Sequence, residues 1–418
     1  MARSVAQKLS RFKPGMLYVG VDLGLDRNEA KVMDERAKVL TSFSFPHSCS
    51  GYQYAVERMV ACKQRHHATG IVVGMEPTNY FWKLFAAELE RRHIDYYLIN
   101  AYTVRKHREG DQIDRSKDDP RDAFVIGDLL RTGKYTQTRL LHGVHAELRQ
   151  YVTLHDRLQG DIACQKTLLR NAVGQLFPEL TSVFGDLTGD TAAAMLRNHA
   201  AAVVIRQLSE EDFITAVRAD LKGRRLMVSK LRRAYQLAQV SVGLVDGVQA
   251  LQLAVRTHLE VLRALQEQAD AVLCALKQTA QAMPETKYLL SLRGLGLVTT
   301  ATILAEIGDP SHYRNGRQLI KLAGTQPAPD TSGRKRHSLT PMSHQGRPRL
   351  RTAVYFACLR LIQLNEDFAQ AYRRYQERAK NPLTKKQAIG ALMNKLLRVI
   401  WALIRQQVVY DPALAQGA

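Results

Sequence analysis

The chain has few acidic residues for its number of basic ones. Its 418 residues include 39 aspartates and glutamates against 60 lysines and arginines, which gives a formal net charge of +21 at pH 7. Since only 24% of the residues are charged, this imbalance is large for the charged fraction. A basic excess of this size favours association with polyanions. The composition therefore predicts a polyanionic partner.

Cysteine and long apolar runs are also scarce. The five cysteines are scattered without a Cys-x-x-Cys pair, which argues against a zinc ribbon or a disulfide framework and suits reduced thiols. No run approaches the roughly 18 uncharged apolar residues of a membrane span. The segment from Met1 to Pro14 is basic and polar and lacks the apolar core of a signal peptide. We therefore expect a soluble cytoplasmic protein with no membrane partner.

Two acidic residues lie at the ends of apolar runs that predict buried strands. Asp22 follows residues 17–21, a short run rich in β-branched and aromatic side chains. Glu76 ends a similar run at 70–76, and Pro77 ends that strand because proline has no N–H for a ladder. A charge in such a strand does not serve stability. We interpret both carboxylates as functional; the alternative is that each is a strand-end residue facing solvent.

Two further acids lie at a predicted helix start. Pro120 favours the first helical turn, with Asp119 as N-cap and Asp122 one turn in. A spacing of three places Asp119 and Asp122 on one face. Asp118 is a rival to Asp119, but we prefer Asp119 because the capping position fixes its direction. The alternative is an acidic first turn that complements the helix dipole.

A site that combines Asp22, Glu76, Asp119 and Asp122 requires a cation, because four carboxylates repel one another. Hard divalent ions with oxygen ligands, Mg²⁺ above all, meet that need. Two such ions about 3.5–4 Å apart would hold the attacking and leaving oxygens of a displacement at phosphorus. The four acids therefore predict catalytic metal ligands for one or two Mg²⁺ ions and phosphodiester cleavage or transfer.

The order of the predicted elements divides the chain into five parts. Strands are predicted near 17–22, 29–34, 38–45, 70–76 and 95–99, and helices near 51–66, 80–92 and 119–131. Three strands joined by short turns and then alternating elements give a mixed sheet flanked by helices, in the order of the ribonuclease H fold. The parts are a basic arm (1–15), an α/β RuvC-like domain (16–140), a helical coiled-coil region (141–284), a mainly α C-terminal domain (285–410) and a tail (411–418).

The helical region contains a heptad seam. From Val245 to Met283, apolar residues alternate three and four apart over about five heptads, and Gln252 and Gln266 occupy two further core positions. We interpret this seam as a coiled coil between chains, which implies a dimer or a larger assembly. The alternative is a hairpin within the chain, formed with the predicted helix at 145–176.

Two segments of the C-terminal domain predict contact with phosphate. Gly294 and Gly296 lie between two predicted helices, in a helix-hairpin-helix-like pattern whose backbone N–H groups can reach phosphate; the alternative is a turn between packed helices without a ligand. Ser332 lies in a turn-rich loop beside Gly333, ahead of several cations, as a candidate nucleophile. A serine in a turn is more often structural than catalytic.

Six cations near Ser332 are candidates for nucleic-acid contact on charge alone. They are Arg334, Lys335, Arg336, Arg347, Arg349 and Arg351. The alternative is that these side chains are solvated surface cations.

Six motifs follow one another in an order that supports a specific resemblance. They are Tyr-Val-Gly-Val-Asp-Leu-Gly, Met-Glu-Pro-Thr, Asp-Pro-Arg-Asp-Ala, Leu-Phe-Pro-Glu-Leu, Leu-x-Gly-Leu-Gly with Glu-Ile-Gly-Asp, and a Ser-Gly loop before Gly-Arg-Pro-Arg-Leu-Arg. Over roughly residues 16–405 the chain resembles the IS110-type insertion-sequence transposases, the DEDD recombinases guided by a bridge RNA. It departs at residues 25–28, where members often carry Lys and His, and at Thr78-Asn79, where Thr-Gly is common.

The resemblance implies a serine mechanism. In it Asp22, Glu76, Asp119 and Asp122 hold Mg²⁺, and Ser332 attacks a DNA phosphodiester to form a phosphoserine link before strands are exchanged. The implied partners are donor and target DNA and a structured noncoding guide RNA that reads both by base pairing. A tetramer is also implied, in which one subunit's acids meet another's serine across the coiled coil, in a prokaryotic, nucleoid-associated protein.

Two other functions fit part of the pattern. One is a RuvC-like junction-resolving nuclease, in which metal-activated water is the nucleophile and Ser332 is incidental. The C-terminal domain with its Ser-Gly-basic loop speaks against it. The other is a non-catalytic RNA-binding scaffold, against which the presence of all four acids speaks.

Overall fold

The chain forms two compact units, Met1–Leu141 and His142–Ala418. Each unit has hydrophobic cores of its own. The computed structural model describes residues 8–77, 79–111, 119–136, 140–221, 223–328, 331–332, 335–336 and 341–412. Of residues 108–111, 119–120, 331–332 and 335–336 it describes the backbone alone.

The first unit is built on a five-stranded mixed sheet. Its strands are β1 (Met16–Leu23), β2 (Arg27–Met33), β3 (Val39–Pro46), β4 (Gly70–Met75) and β5 (Asp95–Leu98). Their order across the sheet is β3-β2-β1-β4-β5, with β1, β2 and β3 antiparallel and β1, β4 and β5 parallel. All five predicted strands are present, with bounds within two residues of those predicted.

Helices cover both faces of this sheet. They are α1 (Cys49–Arg65), α2 (Phe81–Arg91), α3 (Ala101–Asp111) and α4 (Asp119–Arg131). Because side chains alternate along a strand, Val19 and Val21 of β1 share a core with α1 and α2. Tyr18, on the other face, shares a core with α3 and α4. Helices α1, α2 and α4 were predicted, and α3 was not.

The second unit is helical, and a long antiparallel hairpin runs through it. The hairpin helices are α5 (Gly143–Leu176) and α11 (Val248–Ala282). The start of α5 shares one core with the end of α11, and the end of α5 shares another with the start of α11. Between them lie α6 (Leu180–Val183), α7 (Asp190–His199), α8 (Ala202–Ile205), α9 (Glu210–Asp220) and α10 (Val228–Gln239).

The heptad seam of α11 packs inside the chain. Val255, Leu259, Leu262 and Ala269 are buried in a core that also contains residues of α5. The prediction of a seam was therefore right in period and wrong in partner, because the facing helix belongs to the same chain. Gln252 is buried as predicted; its amide contacts the carbonyl oxygens of Leu196 and Arg197 at 3.0 Å. Gln266 is exposed, which contradicts its assignment as a core position.

The C-terminal part of the second unit adds six helices and a small hairpin. The helices are α12 (Pro284–Leu290), α13 (Leu297–Ile307), α14 (Gly316–Ala323), α15 (Pro348–Leu364), α16 (Glu366–Glu377) and α17 (Lys385–Gln406), with a 3₁₀ turn at Pro310–His312. The hairpin pairs β6 (Thr331–Ser332) with β7 (Lys335–Arg336). Helix α17 is apolar and long enough to cross a membrane. Eleven of its residues are buried, most of them in the core of this unit.

Candidate active site

The two strand-borne acids lie at the ends of neighbouring strands. Strands β1 and β4 run parallel with Val21 opposite Met75, so Asp22, near the end of β1, and Glu76, directly after β4, lie side by side at the same end of the sheet. Val21 and Met75 lie in the core under α1 and α2. By alternation, the side chains of Asp22 and Glu76 face the other side of the sheet, which α4 covers. Both residues are partly exposed.

Two glycines allow α4 to lie directly on that face. A Cβ at Gly20 would overlap the carbonyl oxygen of Ala123 and the backbone nitrogen of Gly127. A Cβ at Gly127 would lie 2.5 Å from Cε of Met33. The backbones of β1 and α4 are therefore in contact, and Asp122, next to Ala123, is held beside the strand that ends in Asp22. Asp122 is only 6% exposed.

The fourth acid is described only by its backbone. Helix α4 begins at Asp119, in agreement with a helix start at this position, and its rival Asp118 lies outside the described residues. Sequence reasoning did not select Glu29, which lies directly opposite Asp22 on β2. Side chains at directly opposite positions are about 4.5–5.5 Å apart at Cβ. Glu29 therefore adds a carboxylate beside Asp22.

The acids have the oxygen donors that a hard divalent cation requires. Among the side chains that the structure describes, no group of three or more acidic, histidine or cysteine residues is close enough to hold a metal ion. Asp22, Glu76 and Asp122 thus do not form a complete site by themselves. The side chain of Asp119 is not among those described, so this statement does not include it. The donor chemistry and the shared face fit the predicted ion.

Ser332 lies in a hairpin of the second unit. Ser332 pairs with Lys335 and Thr331 with Arg336 in an antiparallel ladder. The predicted contact residue Arg334 lies outside the described residues. Lys335 and Arg336 are described by their backbone alone, and both are placed on the strand that faces Ser332. The hairpin therefore brings two of the predicted cations into register with the candidate nucleophile.

The base of this hairpin is a closed pair of chain segments, 324–328 and 341–346, which we call the neck. Pro327 and Met342 form a β-bridge. Backbone N–H groups of Ala328, Ser343 and His344 donate across the neck at 2.8–3.0 Å. A Cβ at Gly346 would overlap the backbone nitrogen of Gly324, whose φ is +68°. Glycine is therefore required where the two segments meet.

Three predicted contact arginines have partners inside the second unit. Arg347 contacts Glu306 through both the backbone carbonyl and the carboxylate. Arg349 lies 2.5 Å from the carboxylate of Asp156. Arg351 donates to the carbonyl oxygens of Ala323 at 3.0 Å and His344 at 3.4 Å. All three are half-buried, so they are not the fully solvated cations of the alternative interpretation.

The glycine hairpin at 294–296 has a packing role. Gly294 has a φ of +119°, and a Cβ there would lie 3.0 Å from Cδ2 of Leu361 on α15. This geometry matches the alternative of a turn between packed helices at that position. Gly296 is exposed and precedes α13, and a Cβ there would meet nothing within 4 Å. Contact with phosphate stays a prediction for both glycines.

Two family models match separate parts of the chain. Residues 19–178 match the DEDD model of IS110-type transposases, and residues 286–373 match a model for transposases of the IS116/IS110/IS902 family. The first match includes the four predicted acids, and the second includes Ser332.

Individual relatives have related names. The chain is 27% identical to the mini-circle putative transposase for IS117 of Streptomyces coelicolor, over 76% of this chain and 78% of that protein. It is 24% identical to the uncharacterized 43.6 kDa protein of insertion element IS110 from the same organism, over 72% and 74%. It is 31% identical to the pilin gene-inverting protein of Moraxella lacunata, over 32% and 42%. The chain belongs to the IS110 family of transposases, which are enzymes of DNA recombination.

Proposed function

We propose that this transposase is an RNA-guided, Mg²⁺-dependent recombinase that joins donor and target DNA through a phosphoserine intermediate on Ser332. The observation that carries the proposal is the placement of Asp22 and Glu76 at neighbouring strand ends on the face that α4 covers. Helix α4 adds Asp122 and begins at Asp119. The mixed sheet with strand order β3-β2-β1-β4-β5 supports a RuvC-like domain.

The four acids would hold one or two Mg²⁺ ions. When bound, such an ion neutralises the acids and stabilises negative charge on phosphate oxygens. Asp22 and Glu76 are held by paired strands, and Asp122 by a helix in backbone contact with β1. Regular elements hold ligands more rigidly than loops do. The protein's contribution would therefore be carboxylates carried on regular elements at one face of the sheet.

Ser332 would carry the covalent step. Its hydroxyl oxygen attacks a DNA phosphorus, a new Ser–O–P bond forms, and the bond to the leaving deoxyribose oxygen breaks. The serine proton goes to solvent, and the leaving strand end takes one up to depart as a hydroxyl. A hydroxyl of the other DNA then attacks the phosphoserine and restores the free serine. One phosphodiester is exchanged for another, so no nucleotide cofactor is consumed.

The acids and the serine belong to different units of the chain. We propose, following the resemblance, that the working site combines the acids of one copy with Ser332 of another in a dimer that assembles to a tetramer. The net charge of +21 supports simultaneous binding of DNA and a structured noncoding guide RNA. The guide RNA would read donor and target by base pairing.

The test is the covalent adduct. With donor DNA, guide RNA and Mg²⁺, the wild-type protein should form a denaturant-resistant protein–DNA adduct, and Ser332→Ala should form none while its affinity for guide RNA is unchanged. Thr331→Ala, which removes the neighbouring hydroxyl of β6, is the matched control and should retain the adduct. Full strand exchange by Ser332→Ala would exclude the serine mechanism. Metal-dependent cleavage of branched DNA without an adduct would favour the junction-resolving nuclease.

A further inference from the structure

The neck beneath Ser332 is attached to the second unit through a buried carboxylate. The chain leaves the neck at Arg347, the N-cap residue of α15. The N–H group of Arg347 donates to the carbonyl oxygen of Leu322 at 2.7 Å, and its guanidinium contacts Glu306. Glu306 is in the last turn of α13, and its side chain is only 3% exposed. The exit of the neck is thus bonded directly to a core helix.

Three guanidinium groups surround Glu306. Its carboxylate lies 3.1 Å from Nη1 of Arg149, 3.5 Å from Nη1 of Arg349 and 3.8 Å from Nη1 of Arg347. We call these four residues the Glu306 cluster. Arg149 also donates to the backbone carbonyl of Ala305 at 2.7 Å and to that of Glu306 at 3.2 Å. Carbonyls in the last turn of a helix lack partners within the helix, so the cluster also caps α13.

The cluster joins three helices. Arg149 comes from α5, Glu306 from α13, and Arg349 from the first turn of α15. Arg349 is held in turn by Asp156 at 2.5 Å and by the hydroxyl of Thr153 at 3.1 Å, both on α5. The start of α15, and the neck that leads into it, is therefore fixed against two core helices.

This arrangement has an electrostatic cost. The three arginines of the cluster face the carboxylates of Glu306 and Asp156, so one positive charge is not balanced among these five residues. Burial first, and then the neighbouring Arg347, lower the pKa of Arg149 to about 10. Buried ion pairs are weak contributors to stability. A cluster with a surplus charge is better explained by a need for defined geometry.

We propose that Glu306, Arg149, Arg347 and Arg349 are positioning residues. They fix the place at which the chain of the Ser332 hairpin joins the helical core of the second unit. The proposal rests on the proposed role of Ser332 as nucleophile. Two more contacts hold the neck against the neighbouring helices. Arg351 bonds to the carbonyls of Ala323 and His344, and the hydroxyl of Thr325 lies 2.7 Å from Oδ1 of Asn394 on α17. The guanidinium groups of Arg347 and Arg349 would therefore serve contacts within the protein and not DNA phosphates.

The test variant is Glu306→Gln, which keeps the side-chain shape and removes the charge. At saturating DNA, we expect the rate of adduct formation to fall on the order of ten- to a hundredfold, because a displacement of about 1 Å in a reacting group costs as much as a hundredfold. The affinity for DNA should stay within about twofold. Glu306→Asp should recover part of the rate, because it restores the carboxylate.

Hydrogen exchange gives a readout that does not depend on Ser332. In Glu306→Gln the amide of Ser343, which closes the neck, and that of Arg347, at its exit, should exchange at least about tenfold faster than in the wild type, because opening of the neck becomes easier. If Ser332→Ala keeps its adduct, the proposed function fails, and the exchange rates still report whether the cluster holds the neck.

The control is Glu179→Gln. Glu179 accepts bonds from Ser241 at 2.6 Å and from the backbone of Val242 at 3.1 Å in another part of the same unit, so its loss should leave adduct rate and neck exchange unchanged. If Glu306→Gln does not fold, Arg349→Lys replaces it, with the same signs expected. If folded Glu306→Gln or Arg349→Lys forms the adduct as fast as the wild type, the proposal is wrong. It is also wrong if the loss is explained by weaker DNA binding alone, which would make Arg347 and Arg349 phosphate contacts.

Discussion

The acid-bearing edge of the first unit and the serine-bearing hairpin of the second are held in different ways. Asp22 and Glu76 lie at the ends of strands paired over six residues, and α4 lies on β1 at the Gly20 contact. Ser332 is in a strand of two residues. Its base is closed by a few backbone bonds and by side chains from distant helices. Backbone pairing defines the first site, whereas the base of the second depends on a few backbone bonds together with side-chain contacts.

This difference predicts different responses to substitution. A site set by backbone pairing keeps its geometry when one carboxylate is replaced. The loss of activity then measures the chemical role of that carboxylate. A site set by side-chain contacts can lose activity through residues that never touch DNA.

Replacing a strand-borne acid should have the largest effect. Asp22→Asn or Glu76→Gln should lower the rate of DNA cleavage on the order of a hundredfold or more, because metal-ion stabilisation of the phosphate is worth several kcal/mol. Melting temperature should stay close to that of the wild type. Single-turnover cleavage over a Mg²⁺ titration measures the effect, and the remaining activity should no longer depend on Mg²⁺.

Asp26→Asn is the matched control for this experiment. Asp26 is an exposed acid in the turn that follows β1, so its loss should leave both the rate and the Mg²⁺ dependence unchanged. Retention of Mg²⁺-dependent cleavage in Asp22→Asn would remove Asp22 from the metal site.

Gly20→Ala tests the backbone contact that holds α4. The added methyl group overlaps the carbonyl of Ala123, and such overpacking costs about 1–3 kcal/mol. We expect a lower urea midpoint for the first unit and reduced cleavage, because Asp122 moves with the helix. Gly160→Ala, in an open position of helix α5, should stabilise by up to about 1 kcal/mol. An unchanged urea midpoint in Gly20→Ala would mean that α4 is not held by this contact.

Periodicity in the sequence predicted the sheet and its acids but not every helix. Strands β1 and β4 are dense in β-branched residues, and their alternation decides which face Asp22 and Glu76 occupy. Helix α3 was missed because it presents little apolar surface; Val104 is its one buried residue among those whose side chains are described. The seam of α11 shows a further limit. A heptad pattern predicts a buried apolar stripe but not the helix that covers it. Here α5 of the same chain covers the stripe of α11.

Sequence reasoning was weaker around Ser332, for a physical reason. Charge alone does not distinguish an arginine that faces solvent from one that contacts a buried carboxylate 157 residues away, as the Arg149–Glu306 pair does. The useful signal was the apolar context of Glu306. A carboxylate inside the run Leu297–Ile307 requires a buried cation, and this requirement indicates that nearby arginines are structural. Gly20 was a comparable signal, since glycine within a strand indicates close approach of another backbone.

The smallest expected effect separates the cations of the hairpin from those beneath it. If Lys335 and Arg336 contact DNA phosphates, Lys335→Gln or Arg336→Gln should each lower the slope of log Kd against log salt by about one. Arg351→Gln, whose guanidinium bonds to the carbonyls of Ala323 and His344, should leave the slope unchanged and reduce stability by about 1 kcal/mol. Fluorescence anisotropy from about 50 to 200 mM salt measures the slope. Urea unfolding in parallel measures the change in stability. A reduced slope in Arg351→Gln would place DNA against the neck itself, and the contrast between a DNA-facing hairpin and a structural base would then be wrong.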